Sequence, residues 1–199
     1  MGKVDIKKQQ KKEALLNAAY DLFTTKGIHK TSISDIVEQA GMAKGTFYLY
    51  FSDKYDIRKK LITHKASQIF RKAMTDLKEE QTDNLEDCIL FIVNHVIDQL
   101  DADKSLLNFI SKNLSWGIFK SAMISKPADD EVDFYAFYIE LFEASEKKYQ
   151  NPEVLVYMIV EFVNATSHSS ILYNEPVPID ELKPFMYESI RRMIRSMEM

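Results

Sequence analysis

Residues 31–54, TSISDIVEQAGMAKGTFYLYFSDK, contain two short helical patterns separated by a glycine. Ser32 can cap the first helix, because Asp35 stands three residues later, at the position of a capping-box partner. Four apolar residues then recur at the spacing of one helix face: Ile33, Ile36, Val37 and Ala40. Gly41 tolerates the positive φ of a tight turn, and a second helix is predicted over 44–51. The pattern predicts a helix-turn-helix, which places its second helix in the major groove of DNA.

The same segment resembles the DNA-binding signature of the tetracycline-repressor-like (TetR/AcrR) family of bacterial regulators. The resemblance covers roughly residues 10–60, and its positions agree in order and spacing. They are Thr31, Ile36-Val37, Gly41, Lys44-Gly45-Thr46, Phe47-Tyr48-Leu49-Tyr50-Phe51 and Lys54. Ala43 departs from the signature, which usually has Ser there, and this loses a helix cap worth about 0.5–2 kcal/mol. The resemblance implies a small DNA-binding head joined to a larger helical body.

Charge is distributed unevenly along the 199 residues, although the net charge is only −4. Residues 1–80 hold 16 Lys and Arg against 10 Asp and Glu, a net of +6, and residues 81–199 hold 10 against 20, a net of −10. A basic N-terminal part is expected of a chain that offers one end to phosphates. The asymmetry can also reflect ordinary solvated faces, but the helix-turn-helix pattern favours the first interpretation.

Cysteine content and hydropathy predict a cytoplasmic protein without a membrane span. Cys88 is the only cysteine, which excludes an intramolecular disulfide and suits a reducing compartment. The N-terminal stretch MGKVDIKKQQKKE is basic and polar, and no run of about 18 apolar residues follows it. Cys88 and His95 share one helix face, but two ligands do not make a closed metal site. No nucleophile elbow, HExxH motif or phosphate-binding glycine loop is present, so we expect no enzyme activity, cofactor or metal.

The fold class predicted is all-α, with an N-terminal three-helix helix-turn-helix head, a C-terminal helical-bundle body and about nine helices. The body has a single glycine, Gly117, and little β-type alternation, which indicates helices packed on helices. The helices are predicted at 8–26, 33–40, 44–51, 54–80, 85–100, 105–121, 130–148, 152–173 and 179–197. The domain boundary is predicted between a DNA-binding domain, 1–52, and a ligand-binding and dimerisation domain, 53–199.

Nine residues of the head are predicted to contact DNA: Thr31, Ser32, Lys44, Gly45, Thr46, Tyr48, Leu49, Tyr50 and Lys54. Hydroxyls and backbone N–H groups ahead of the second helix can meet a phosphate, and side chains in the first turn of the third can reach base edges. Gly45 lets the backbone approach the groove closely. The resemblance implies that the two tyrosines contact the sugar-phosphate backbone. Leu49 can touch a thymine methyl or pack against that backbone. Lys54 places a positive charge at a helix start, where the helix dipole disfavours it, and a nearby phosphate would explain its presence.

The resemblance also implies a homodimer through helices 8 and 9 and a ligand cavity among helices 4–8. Wide apolar stripes supply the predicted dimer interface: Ile159, Phe162, Met186, Ile190, Met193 and Ile194. The same stripes can instead face the protomer's own core, and because they are wide they can also serve both purposes. Large aromatics with a few polar groups suit a pocket for a hydrophobic molecule. The pocket candidates are Phe91, His95, Phe109, Asn113, Trp116 and Tyr138.

These features together predict a dimeric, ligand-responsive transcriptional regulator, in most members of such a family a repressor. It is expected to bind a palindromic double-stranded operator and to be released by a small hydrophobic effector. A first alternative is a DNA-binding regulator without a ligand, controlled by a protein partner. A second is a helical carrier or enzyme, for which the sequence offers no catalytic set.

Overall fold

The computed structural model describes residues 3–79, 84–113, 116, 120 and 133–199. The described residues form nine α-helices: α1 Lys3–Thr25, α2 Ile33–Gln39, α3 Lys44–Tyr48, α4 Lys54–Glu79, α5 Leu85–Ala102, α6 Lys104–Asn113, α7 Phe134–Glu143, α8 Pro152–Tyr173 and α9 Ile179–Ser196. The all-α prediction is confirmed. The predicted continuation of helix 6 to 121 and the predicted start of helix 7 at 130 lie largely outside the described residues.

The chain divides into two compact units, and the division falls inside α4. The first unit, the head, ends at His64, and the second, the body, begins at Lys65. The sequence places this boundary earlier, between 52 and 53. The difference arises because the first turns of α4 carry Ile57, Leu61 and Ile62, all buried, into the core of the head.

Helix α1 supplies one wall of the head core with its buried leucines, alanines and Phe23. It is followed by Gly27 at φ +80°, and the turn after α2 contains Gly41 at φ +66°. Both glycines adopt the left-handed conformation that other residues reach only with strain. The predicted turn at Gly41 is therefore confirmed. Gln39 Nε2 also donates to Asp21 Oδ2 at 3.2 Å, which joins α2 to α1.

Helix α3 is shorter than the predicted 44–51. After Tyr48 the chain makes a tight turn, in which the Tyr50 N–H donates to the Phe47 carbonyl at 3.0 Å. This turn directs Phe51 inward, where its ring lies 5.5 Å from that of Phe47, centroid to centroid. Both rings are buried in the head.

The body is built on α5, α8 and α9, whose buried aliphatic side chains form one cluster. Asn84 caps α5 by accepting from the Asp87 N–H at 2.9 Å, and Pro152 opens α8 at a position where no backbone donor is needed. Arg195 of α9 forms a two-point ion pair with Glu86 of α5, with both N···O distances at 2.9 Å. Helix α8 matches its predicted bounds, and α9 ends one residue before the predicted position.

Most residues predicted at a dimer interface belong instead to the core of the protomer. Ile159, Met186, Ile190 and Ile194 are buried in the body cluster, whereas Phe162 and Met193 are partly buried and pack against it. The reason is that the apolar stripe of α9 lies on α5 and α8 of the same chain. Other large apolar side chains are exposed on these two helices, Tyr173 on α8 and Phe185 on α9.

Candidate nucleic-acid interface and body cavity

Helix α2 begins with the predicted capping box. The Asp35 N–H donates to Ser32 Oγ at 3.1 Å, and the Ser32 N–H donates to Asp35 Oδ2 at 2.8 Å. The backbone hydrogen bond from Ser32 is the main reason that the pKa of the Asp35 carboxyl lies below its ordinary value. Ser32 is exposed, and its hydroxyl hydrogen stays available to a phosphate.

Thr31 is placed differently from its neighbour. Its side chain is only 2% exposed, and its hydroxyl donates to the Gly27 carbonyl at 2.9 Å. A second, longer contact at 3.4 Å reaches the Leu22 carbonyl. The predicted contact of this hydroxyl with DNA therefore has no geometric basis, because the group faces inward and closes the turn after α1.

Replacing Thr31 with valine tests this structural role. Valine keeps the shape but removes the donor, so we expect a loss of about 1 kcal/mol in the free energy of unfolding. Chemical denaturation measures this loss, and Thr31→Ser, which keeps the hydroxyl, is the control for the hydrogen bond. DNA affinity measured well below the unfolding midpoint should be unchanged in Thr31→Val. A large drop in DNA affinity without a loss of stability would instead indicate that the Thr31 hydroxyl contacts DNA.

Two lysines of α4 bind backbone carbonyls of the helix-turn-helix. Lys54 Nζ donates to the Thr31 carbonyl at 2.9 Å, just before α2. Lys60 Nζ donates to the Tyr50 carbonyl at 3.1 Å, just after α3. The head thus fixes both ends of the motif from one helix. The sequence singles out Lys54 by its charge at a helix start, and it gives no signal for the carbonyl contact of Lys60.

Asp53 and Asp56 organise the start of α4. Asp53 Oδ1 accepts from the Asp56 N–H at 2.8 Å, as a helix cap should, and Asp56 Oδ2 accepts from the Ser52 N–H at 2.9 Å. Partial burial raises the pKa of the Asp56 carboxyl, but the Ser52 N–H and Lys60 together outweigh it, so the pKa is lowered. Lys60 therefore stays paired with an ionised carboxylate.

The outer side of α3 and the turn after it form an exposed surface, which we call the α3 surface: Lys44, Gly45, Thr46, Tyr48, Leu49 and Tyr50. Tyr48 is 53% exposed and Leu49 is 77% exposed, whereas Thr46 and Tyr50 are partly accessible. A Cβ added at Gly45 would meet no atom within 4 Å. Ala43 leaves the first turn of α3 without a side-chain cap, as its identity predicts. A short helix that presents such side chains to solvent has the geometry of a recognition helix.

Comparison with known proteins assigns this head. The family profile described as "Bacterial regulatory proteins, tetR family" matches residues 15–61, which include α2, α3 and the turn between them. Residues 15–61 therefore form a helix-turn-helix domain of the tetR family. The matched segment ends inside α4, close to the end of the head unit.

Two curated relatives of the chain come from Bacillus subtilis strain 168. The uncharacterized HTH-type transcriptional regulator YvdT is 51% identical over 63 residues, which are 30% of this chain and 32% of that protein. The fatty acid metabolism regulator protein is 37% identical over 75 residues, 38% of this chain and 39% of that protein. The chain therefore spans about a third of the length of these curated relatives.

A solved structure extends the likeness in fold to almost the whole chain. The transcriptional regulator FadR from Bacillus subtilis, crystallised in complex with stearoyl-CoA, superposes with a TM-score of 0.63. The alignment covers 89% of this chain and 96% of that one at 18% sequence identity. At this identity the likeness concerns the TetR fold alone.

The body unit contains a cavity of about 170 Å³. Side chains of α4, α5, α6, α7 and α8 line it, which agrees with the helices implied by the resemblance. The described lining is aliphatic or aromatic except for Tyr138, Asn164 and Ser167. Its apolar wall includes Ile69 of α4, Val93 and Val96 of α5, Ile110 of α6, Leu141 of α7 and Val160 of α8.

Of the six residues predicted for the pocket, Tyr138 lines this cavity. Phe91 stacks on His95 with ring centroids 4.5 Å apart, and His95 Nε2 lies 2.8 Å from Asp76 Oδ2. Phe109 is buried elsewhere, and Trp116 packs edge-on against Tyr157. The side chain of Asn113 lies outside the described residues. Burial of Tyr138 is the main reason that its pKa is raised, so its phenol stays protonated and can donate.

A wider opening of about 640 Å³ lies between the start of α5, the end of α7 and the last turns of α9. Its charged groups include pairs within the protein, such as Arg195 with Glu86 and Lys147 with Glu198.

The described part of the chain contains no group of three His, Cys, Asp or Glu side chains that could hold a metal ion. None of its helices has both the length and the apolar character that crossing a membrane requires.

Proposed function

We propose that this protein is a homodimeric transcriptional regulator that binds a palindromic DNA operator through the α3 surface and is released by a small apolar effector. The observation that carries the proposal is the α3 surface itself, because a basic and aromatic helix face is exposed at the second helix of a helix-turn-helix. The proposed contacts are Ser32, Lys44, Gly45, Thr46, Tyr48, Leu49, Tyr50 and the ammonium of Lys54. Three parts of the proposal, namely repression, the cytoplasmic location and the palindromic form of the operator, are inferred from the resemblance to TetR/AcrR regulators.

The lysine contacts of α4 support this assignment of roles. Lys54 and Lys60 hold the carbonyls that flank α2 and α3, so the motif is fixed before it meets DNA. Preorganised contacts lower the entropy lost on binding. Phosphate contacts then set the register, and side chains of α3 read base edges.

The body cavity favours control by a small molecule over control by a protein partner alone. A mostly apolar space with a few polar groups is typical of small-molecule sites. FadR from Bacillus subtilis was crystallised with stearoyl-CoA, so a protein of this fold accepts an organic ligand. An effector that binds better to the conformation without DNA would lower operator affinity by differential binding.

Dimerisation is proposed through exposed residues of α8 and α9 rather than through their buried stripes. Phe185 of α9 is 72% exposed, and Tyr173 at the end of α8 is also largely exposed. A second copy of the chain would cover both, since a two-fold interface places the same patch on each subunit. A dimer would present two heads to the two halves of a palindrome.

Selection from random DNA duplexes, followed by titration of the enriched sequence, tests the proposal. We expect a site with two related halves, and Lys44→Ala should lower the affinity for it. The slope of log affinity against log salt should fall in magnitude by about 0.9 for each phosphate that the protein no longer neutralises. Lys148→Ala removes an exposed lysine of the body and serves as the control. Failure to enrich any sequence, or equal effects of the two substitutions, would contradict the proposed role of the α3 surface.

A further inference from the structure

Ser167 of α8 carries a hydroxyl whose position calls for an explanation. The residue is 1% exposed, it lines the body cavity, and its Oγ has no hydrogen-bond partner among the residues that the structure describes. Leaving a buried hydroxyl unpaired lowers stability. Such a group in a native protein therefore indicates either a tolerated cost or a partner that arrives from outside the chain.

Other hydroxyls on the same helix do find partners within the protein. Thr166 Oγ1 donates to the Phe162 carbonyl at 2.7 Å, the usual bond to the preceding turn. Ser170 Oγ donates to the Val177 carbonyl at 2.7 Å, in the loop after α8. Ser167 differs from both because it lines the cavity, where the neighbouring walls are apolar.

Two further polar groups lie in the wall of the same cavity. Asn164 precedes Ser167 by three residues on α8, so the two share one face of the helix. Tyr138 of α7 is the third, and burial keeps its phenol neutral by raising its pKa. The described lining contains no Lys, Arg, His, Asp or Glu side chain. The cavity thus offers hydrogen bonds without offering a charge.

Volume limits the size of a ligand. The cavity measures about 170 Å³, and an apolar cavity of about 150 Å³ takes up benzene. One substituted aromatic ring therefore fits this volume. A carboxylate or ammonium would lose its hydration here without gaining a described counter-charge, which is strongly unfavourable.

We propose that the body cavity binds a neutral molecule of about one aromatic ring whose single hydrogen-bonding group pairs with Ser167 Oγ. The inference deepens the proposed function, on which it rests, by naming the class of effector. Asn164 and Tyr138 flank the polar group, and the valines and isoleucines of α5 and α8 enclose the apolar part.

Binding of three probes of matched shape to the full-length protein without DNA tests the proposal. The probes are p-cresol, p-xylene and p-toluate. Their binding is measured by calorimetry and by the shift in the midpoint of thermal unfolding. We expect p-cresol to raise the midpoint, because a ligand that binds only the folded state stabilises it. Ser167→Ala should weaken p-cresol binding about three- to tenfold, the usual effect of one neutral hydrogen bond, and leave p-xylene binding within about twofold. We expect p-toluate to give no shift of the midpoint.

Ser170→Ala is the matched control, because both serines are buried on α8. It removes a hydrogen bond made within the protein, so the midpoint without ligand should fall while p-cresol affinity stays unchanged. Ser167→Ala should keep or raise the midpoint without ligand, since it removes an unpaired hydroxyl. A fall as large as that of Ser170→Ala would show that Ser167 already has a structural partner and would overturn the proposal.

The remaining outcomes separate this inference from the proposed function. Absence of p-cresol binding, equal p-cresol affinity in wild type and Ser167→Ala, or binding of p-toluate as tight as that of p-cresol would overturn the inference while leaving operator binding intact. Binding of p-cresol through Ser167 that leaves operator affinity unchanged would support the site and contradict its role in releasing DNA.

Discussion

Replacing Ile190 with glutamate will unfold the body unit rather than separate two folded subunits. Ile190 is 0% exposed, in the middle of the cluster formed by α5, α8 and α9. The substitution removes the packing of a buried isoleucine, worth about 2–5 kcal/mol, and adds a buried charge that costs several kcal/mol more. Because small proteins are stable by only about 5–15 kcal/mol in total, the sum removes most or all of the folding free energy. Circular dichroism should show loss of the cooperative thermal transition.

Phe185→Glu provides the contrasting result on the same helix. Its side chain is largely exposed, so the protomer should keep its thermal transition while sedimentation velocity reports a shift from dimer to monomer. Ile6→Glu, at an exposed apolar residue of α1, controls for the added charge. A folded, monomeric Ile190→Glu protein would place that residue at the interface, as the sequence pattern alone suggests.

The second large effect is expected from two neighbouring aromatic residues of α3. Phe47 is 0% exposed and packs against Phe51, whereas Tyr48 projects into solvent. Phe47→Ala should lower the free energy of unfolding by about 3–5 kcal/mol, because it removes a buried ring and leaves a cavity behind. Tyr48→Ala should leave stability within about 0.5 kcal/mol, as surface substitutions usually do.

The DNA affinities of these two variants should separate a binding role from a structural one. Tyr48→Ala should weaken operator binding in a fully folded protein, because it removes a side chain proposed to touch a phosphate. Phe47→Ala should weaken it only through the fraction of protein in which the head is unfolded, so cooling the sample should restore part of the affinity. Hydrogen exchange of the head amides measures that fraction. Equal stability of the two variants would contradict the burial of Phe47.

The head can be predicted in detail because its signals are local. Gly27 and Gly41 stand at positions of positive φ, which glycine adopts more easily than other residues. The capping box joins Ser32 to Asp35, only three residues along the chain. What the sequence cannot show is where a hydroxyl or an ammonium points. Thr31 turns inward to a carbonyl of the preceding turn, and Lys60 reaches the carbonyl of a residue ten positions earlier. Both contacts depend on how the helices pack.

The body is harder to predict, for two physical reasons. An apolar stripe shows that a helix face is buried, but not whether its own chain or a second copy covers it, and for Ile190 the answer is its own chain. A cavity is the volume that side chains fail to fill, so no residue type marks it. Aromatic content points to Phe91 and Phe109, whereas the lining is mostly aliphatic, with valines and isoleucines of α5 and α8 prominent.

The open space around Gly45 makes substitutions at this position a measure of how closely the backbone of α3 approaches bound DNA. A Cβ at residue 45 would meet no other atom of the described protein within 4 Å, so alanine fits there without a clash. A loss of operator affinity in Gly45→Ala would therefore be caused by contact of the new Cβ with the bound duplex. A series from alanine through serine to leucine measures, in steps of one or two atoms, the clearance between this backbone and the wall of the groove.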